Sequence, residues 1–188
     1  WVLTTFEDST AFLWRMDSLK MNSEKNKSEW SFRYSSGIPG GFFSPNSTYF
    51  ALVGKDKTVL VFNIQKCINK NMPPAILTGH TSDIRDIGFS SDDQYIVTAS
   101  NDKTWRVWDL QGNILQKFIG HTAGLNRAMF IKNDKYILSA SEDGTARLLP
   151  WRVEDILHKI HIEKVRGDIW ELTNEDKVKY GITGNEDE

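Results

Sequence analysis

Four stretches of the chain repeat one arrangement of apolar and polar positions. They are VLTTFEDSTAFLWRM (2–16), YFALVGKDKTVLVFNI (49–64), YIVTASNDKTWRVWDL (95–110) and YILSASEDGTARLLPW (136–151). Each runs from an apolar segment through a polar turn into a second apolar segment. Each turn places an aspartate two residues before a threonine: Asp8, Asp56, Asp102 and Asp143, at separations of 48, 46 and 41 residues. The apolar segments are rich in Val, Ile, Phe, Tyr and Thr, the residues that fit a pleated surface. In Thr104-Trp105-Arg106-Val107-Trp108 alternate side chains must point to opposite faces. The short turns Asn101-Asp102-Lys103 and Glu142-Asp143-Gly144 have the chemistry of tight hairpins. Similar patterning predicts further strands at 30–35, 40–44, 74–78, 84–90, 114–119 and 125–131. The inserts 17–29 and 66–73, rich in Lys, Asn and Ser, read as surface loops.

A repeat of about 40–45 residues built from strands is the mark of propeller blades. Gly79-His80 followed by Trp108-Asp109 completes the pattern, and Gly120-His121 opens the next copy 41 residues later. On these residues the chain resembles the WD40-repeat family from residue 1 to about 151. The resemblance implies an all-β fold, a WD40 β-propeller of four-stranded antiparallel blades. It also implies that a histidine, a Ser or Thr, the turn aspartate and a tryptophan form a hydrogen-bonded chain in each blade. Here those positions resemble His80, Ser100 (or Thr98, on the same strand face), Asp102 and Trp108. The next copy keeps His121, Ser141 and Asp143 but has Leu149-Pro150 in place of Trp-Asp. The second copy has Phe62-Asn63 and no Gly-His before it, and the first keeps Trp14 followed by Arg15. A His/Ser/Asp trio is also the composition of a hydrolase triad. No oxyanion-hole motif accompanies it, and the trio recurs in the next copy, so the structural role is expected.

The family's repeat supplies the outer strand of one blade and the inner three of the next. The expected organisation is a partial first blade (1–16), then units 30–64, 74–110 and 114–151, within a propeller region 1–152. That is about three and a half blades, expected to be the C-terminal half of a larger propeller. After Trp151 the period changes. Val153, Ile156, Leu157 and Ile160 fall on one helical face, and Thr173, Asp176 and Gly181 suit the cap and stop of a second helix. A helical extension is therefore expected over 153–182, followed by an acidic disordered tail at 183–188. The pattern at 172–181 also resembles the ends of WD40 arrays in bacterial multidomain proteins, where an effector or STAND-type NTPase domain precedes the propeller.

Charge narrows the function. With 23 Lys and Arg against 25 Asp and Glu, the chain lacks the basic excess of a dedicated nucleic-acid surface. No apolar run is long enough to span a membrane. The single Cys67 excludes an internal disulfide and fits a reducing cytoplasm. His158 and His161 lie three residues apart near Glu154, but surface histidines on a helix account for them, so no metal is expected; no motif calls for a cofactor, and no catalytic residue is assigned. The expected function is a protein-interaction module, a scaffold or sensor whose remaining blades come from elsewhere in the protein or another polypeptide. The first form is the sensing end of a bacterial signalling or defence protein. The second is a scaffold subunit of a larger, eukaryotic complex. An enzyme using the propeller channel ranks last. In the family, partners often dock where the loops between blades meet the inner turns. On this chain that face holds Glu7, Lys55, Asp83, Arg85, Asn101, Gly124, Asn126 and Glu142. Trp105, where the family favours a small β-branched residue, is expected in the core.

Overall fold

Each inner hairpin recruits its neighbours into an antiparallel sheet, and the sheets then stack face to face. The structure, a computed structural model, describes residues 1–6, 8–16, 27–70 and 72–156. The first sheet joins β1 (Val2–Thr5), β2 (Thr10–Trp14) and β3 (Trp30–Arg33). The second joins β4 (Gly40–Phe43), β5 (Tyr49–Val53), β6 (Val59–Asn63) and β7 (Ala75–Leu77). The third joins β8 (Ile84–Phe89), β9 (Tyr95–Ser100), β10 (Thr104–Asp109) and β11 (Ile114–Ile119). The fourth joins β12 (Leu125–Ile131), β13 (Tyr136–Ser141) and β14 (Ala146–Pro150). Every strand expected from the sequence is present to within a residue or two. Boundaries in space differ from the repeat units 30–64, 74–110 and 114–151. β3, β7 and β11 each pair with the strand before them, because an antiparallel hairpin joins them to it. The sheets are thus cut one strand later than the sequence repeats.

Packing explains why the inner strands read as nearly continuous apolar runs. The pleat sends alternate side chains to opposite faces, and both faces are covered. Phe50, Leu52, Leu60 and Phe62 pack toward the first sheet with Leu13 and Trp30. Their alternates Ala51, Val53, Val59 and Val61 pack toward the third with Ile87, Ile96 and Trp108. The third sheet divides likewise: Val97, Ala99, Trp105 and Val107 meet Leu125, Ala128 and Ile137 of the fourth. Fully burying one such side chain contributes about 1.5–3 kcal/mol, so the interfaces between sheets are the core. Close approach of the innermost strands needs a missing side chain. A Cβ on Gly88 would crowd the Ala128 carbonyl of β12 at 3.2 Å.

The opposite end of the stack is tied by a second device. Asp93 accepts hydrogen bonds from the Ser44 hydroxyl (2.7 Å) and the Asn46 amide (3.2 Å) of the preceding sheet. Asp134 does the same for the Ser91 amide (2.8 Å) and hydroxyl. Both aspartates sit in the left-handed region, at φ 59°, which short polar side chains tolerate.

One expectation needs correction. The insert 66–73 is not simply a loop: α1 (Ile64–Lys70) occupies its first part. Asn63 caps it, accepting the Lys66 amide at 3.0 Å, and Ile64 and Cys67 are buried in the core. The expected C-terminal helix begins at 153 and is described through 156, where Ile156 is buried. The remainder of the 153–182 extension, the 183–188 tail and most of the 17–29 insert lie outside the described residues.

Trp105 is core, 1 % exposed and stacked on Phe118 at 5.4 Å. Its indole N–H is buried without a partner among the described residues, which is costly. Trp105→Ala should therefore destabilise by about 3–5 kcal/mol. Trp105→Phe, which keeps the stacking and removes the orphaned donor, should cost less than about 1.5 kcal/mol. Urea unfolding of the two variants checks this; equal losses would mean that the indole nitrogen matters to stability.

Candidate functional site

The inner hairpin turns carry the polar chemistry. In all four, the aspartate accepts from the threonine two residues on, through both hydroxyl and backbone N–H. The hydroxyl contacts of Asp56, Asp102 and Asp143 are each 2.6 Å, and Asp8 holds Thr10 in the same way. The residue between them takes positive φ: Ser9 70°, Lys57 69°, Lys103 72° and Gly144 79°. A left-handed residue closing a short loop matches the right-handed twist of a hairpin.

In the third sheet this turn anchors a longer chain. Trp108 Nε1 donates to Thr98 Oγ1 (2.9 Å), Thr98 meets His80 Nε2 (2.7 Å), and His80 Nδ1 meets Asp102 Oδ2 (2.7 Å). One direction of donation satisfies all of them: indole N–H to threonine oxygen, threonine O–H to Nε2, and Nδ1–H to carboxylate. That requires a neutral imidazole. Burial pushes the His80 pKa below its ordinary value, against the pull of Asp102. Burial would raise Asp102, yet the His80 and Thr104 hydrogen bonds hold its carboxyl well below the usual carboxylate range. Arg106 is buried beside them, 3.7 Å from Asp102 Oδ2 and over the Trp108 ring. Gly79, at φ 139°, leaves the space: a Cβ there would fall 2.5 Å from Arg106 Nη1. The linking hydroxyl is Thr98, not Ser100. Ser100 instead donates to the Ser82 carbonyl and accepts the Asp102 amide, pinning the loop.

The fourth sheet repeats the arrangement with His121 between Asp143 (2.9 Å) and Ser139 (2.9 Å). Here too the expected Ser141 serves the loop, donating to the Gly124 carbonyl at 2.9 Å. The Thr145 hydroxyl, then the Thr122 amide and His121, hold Asp143 low against the effect of burial. The second sheet holds a substitution that the sequence reading missed. Tyr34 lies 22 residues before Asp56, the separation of His80 from Asp102, and donates its hydroxyl to that carboxylate at 2.6 Å. Asp56 raises the Tyr34 pKa in return. The 22-residue spacing was the available signal. The same sheet has Leu52 where the third has Thr98 and Phe62 where it has Trp108, so the polar pair is replaced as a unit and no buried donor is orphaned. In the first sheet Trp14 Nε1 donates to Thr4 Oγ1 (2.9 Å).

None of this chain is open to a reactant. Thr98 is fully buried and His80 nearly so, with both ring nitrogens engaged. Among the described residues no group of three or more His, Cys, Asp or Glu is placed to hold a metal. His158 and His161 lie outside the described residues.

The exposed chemistry lies on the face above these turns. Backbone bonds tie each loop between sheets to the next inner turn: Lys55 N to Gly37 O (3.2 Å), Asn101 N to Asp83 O (2.9 Å) and Glu142 N to Gly124 O (2.9 Å). Arg85 bridges two sheets, donating from Nε to Asn101 Oδ1 at 2.9 Å and standing 3.9 Å from Glu142 Oε1. The structure thus brings Asp83, Arg85, Asn101, Gly124 and Glu142 together. Gly124, however, is buried against Asn101, and acts as a spacer rather than a contact. Lys55 is exposed on the second sheet, its stem lying over Gly37. Asn126 is exposed on β12. Glu7 lies outside the described residues.

Comparison with known proteins agrees with this geometry. Residues 71–109 and 112–149 match the family model "WD domain, G-beta repeat". The chain is 37% identical over 67 residues to the serine-threonine kinase receptor-associated protein of Gallus gallus, covering 36% of this chain and 18% of that protein. It is 38% identical over 71 residues to the small ribosomal subunit protein RACK1 of Caenorhabditis elegans, covering 35% and 22%. It is 30% identical over 112 residues to the guanine nucleotide-binding protein subunit beta of Saccharomyces cerevisiae, covering 58% and 24%. The matches therefore span about a quarter or less of these relatives. With the stacked antiparallel sheets, they place the fold among WD40-type propeller blades.

The buried histidine makes stability depend on pH. Folding depresses the His80 pKa below 6.5, so the unfolded chain takes up that proton first. Its contribution is full above about pH 6.5 and is lost as pH falls toward the lower folded value. The Asp102 contribution, with a folded pKa also depressed, survives further and is lost only below about pH 4. Thermal unfolding between pH 7 and 5 should show a falling midpoint, with a shallower fall in His80→Ala. At pH 7 that variant should lose about 1–3 kcal/mol by leaving the Thr98 hydroxyl proton without its acceptor and Asp102 without one of its donors. A His80→Ala profile parallel to the wild type would refute the assignment of the pH dependence to this ring.

Proposed function

We propose that this chain is a protein-interaction module of the scaffold type, binding partners rather than catalysing a reaction. The observation that carries this reading is the division of labour among its polar residues. The His80, Thr98 and Asp102 side chains of the third sheet are buried and engaged with one another. The polar groups left to solvent form a face braced by backbone bonds and bridged across two sheets by Arg85. A surface held rigid before binding loses little entropy on association. The relatives' names fit: each describes a member of an assembly or an associated protein, not a reaction. They favour the scaffold-subunit setting over the bacterial sensor, whose supporting segment at 172–181 lies outside the described residues. A cytoplasmic location belongs to the same proposal and rests on the lone buried Cys67. Among the described residues no helix is long and apolar enough to cross a membrane.

The partner should be a protein that answers Arg85 with a carboxylate or carbonyl, since a guanidinium fork suits such acceptors. Arg85→Glu and Glu142→Lys change exposed side chains and should leave the unfolding midpoint near that of the wild type. Affinity capture with quantitative mass spectrometry should show the wild-type partners depleted by either reversal. An identical partner set on both variants, with both folded, would remove this face from the function.

A further inference from the structure

We propose a second docking site, on the rim between the second and third sheets, that takes a short peptide carrying one bulky apolar residue beside an acidic one. The inference rests on the protein-interaction reading but uses a different surface. It begins with α1. In the third sheet the connection between the last two strands is a tight turn, 110–113, whose amides are gathered by Asp109. In the second sheet the equivalent connection is enlarged by α1 and by residues 72–74. Ile64 and Cys67 anchor the helix in the core, and the Cys67 thiol donates to the Ile64 carbonyl. α1 is therefore a fixed wall.

That wall encloses a cavity of about 330 Å³ against the neighbouring turn. Its apolar lining includes Val61, Met72, Pro73, Ala75 and Leu110, and among the described residues Lys66 is the one charged residue that lines it. This volume is at the small end of ligand pockets, about 300–1,000 Å³, and suits one large side chain with its adjoining backbone. On the outer strands Ile76 and Ile114 are 49 % and 46 % exposed, and Ile76, paired with Leu60, points to the face of β7 opposite to the cavity-lining Ala75. The two strands are held close by Gly112 (φ 95°), whose missing side chain admits the Ile76 carbonyl.

Charge decides the occupant. Among the described residues no acidic side chain lines the cavity. The nearby Asp109 carboxylate is engaged by the Gln111 and Asn113 amides and the Asn113 side chain, so it does not face the opening. Lys66 is exposed and forms no ion pair among the described residues. An apolar group entering the cavity thus meets the Lys66 ammonium, which has no ion pair among the described residues, and a flanking Asp or Glu supplies the complement.

Random peptides displayed on phage and selected on the full chain test this. Enriched peptides should pair a Leu, Met or Phe with a nearby Asp or Glu. Their binding should weaken by about tenfold or more, roughly 1.4 kcal/mol, in Lys66→Glu and in Ala75→Trp, which fills the cavity. Arg85→Glu should leave it unchanged. Lys66→Glu changes an exposed residue, so it reports even if Ala75→Trp does not fold, and selection on it should shift the flanking residue to Lys or Arg. Failure to enrich peptides, enrichment without an acidic residue, or insensitivity to Lys66→Glu would overturn the proposal. Peptides lost only in Arg85→Glu would overturn it while supporting the function proposed for the other face.

Discussion

The carboxylate at each inner hairpin is the constraint on which the rest of the structure depends. It ties down a left-handed residue and a threonine in its own turn, which fixes the geometry of two strands. In the second, third and fourth sheets it also receives a group from a loop 22 residues earlier: Tyr34, His80 or His121. That one contact holds the incoming loop against the inner turn, sets where the next innermost strand begins, and so sets how the sheets stack. A carboxylate answered by several donors resists protonation. The folded state gains from keeping it charged, and the network is self-reinforcing.

Departures from a complete network follow the rule that buried polar groups must be answered. The second sheet changes threonine and tryptophan together, to Leu52 and Phe62, and its aspartate takes a phenol in place of an imidazole. The fourth sheet has Leu149 where the indole would be, and Ser139 still has His121 as its partner. Neither change strands a donor in the core. Ser36 Oγ and Arg147 Nε are nevertheless buried without a partner among the described residues. The aromatic cluster of Trp30, Phe50 and Phe62, with Phe50 and Phe62 stacked at 4.9 Å, supplies by packing what the polar chain supplies next door.

Strands were legible because both faces of each inner strand are buried, which writes long β-branched and aromatic runs bounded by Asp-containing turns. The choice between Thr98 and Ser100 was not, since both point to the same face and only the reach of the His80 ring selects the nearer hydroxyl. Tyr34 escaped notice because a phenol does not resemble an imidazole in sequence, although it occupies the same place relative to the turn aspartate. α1 was hidden by polar composition. Its apolar residues Ile64, Cys67 and Ile68 have helical spacing and Asn63 is a good cap, but seven residues make a weak periodic signal. Asp93 and Asp134 were overlooked for another reason: their partners lie on the preceding sheet, at sequence separations of more than forty residues.

The two polar systems leave the molecule with surfaces of different origin. The face around Arg85 exists because the repeat exists: every loop that docks on an aspartate turn exposes its remaining polar groups there. The rim beside α1 exists because the repeat was interrupted. A short loop would have closed the hairpin between β6 and β7, and no packing requirement of the fold calls for a helix in its place. The helix nevertheless buries a cysteine and an isoleucine in the core, so its position is as firmly set as that of a strand. An insertion that no strand pairing requires, yet that α1 fixes to the core through Ile64 and Cys67, builds a concave apolar surface edged, among the described residues, by the Lys66 cation.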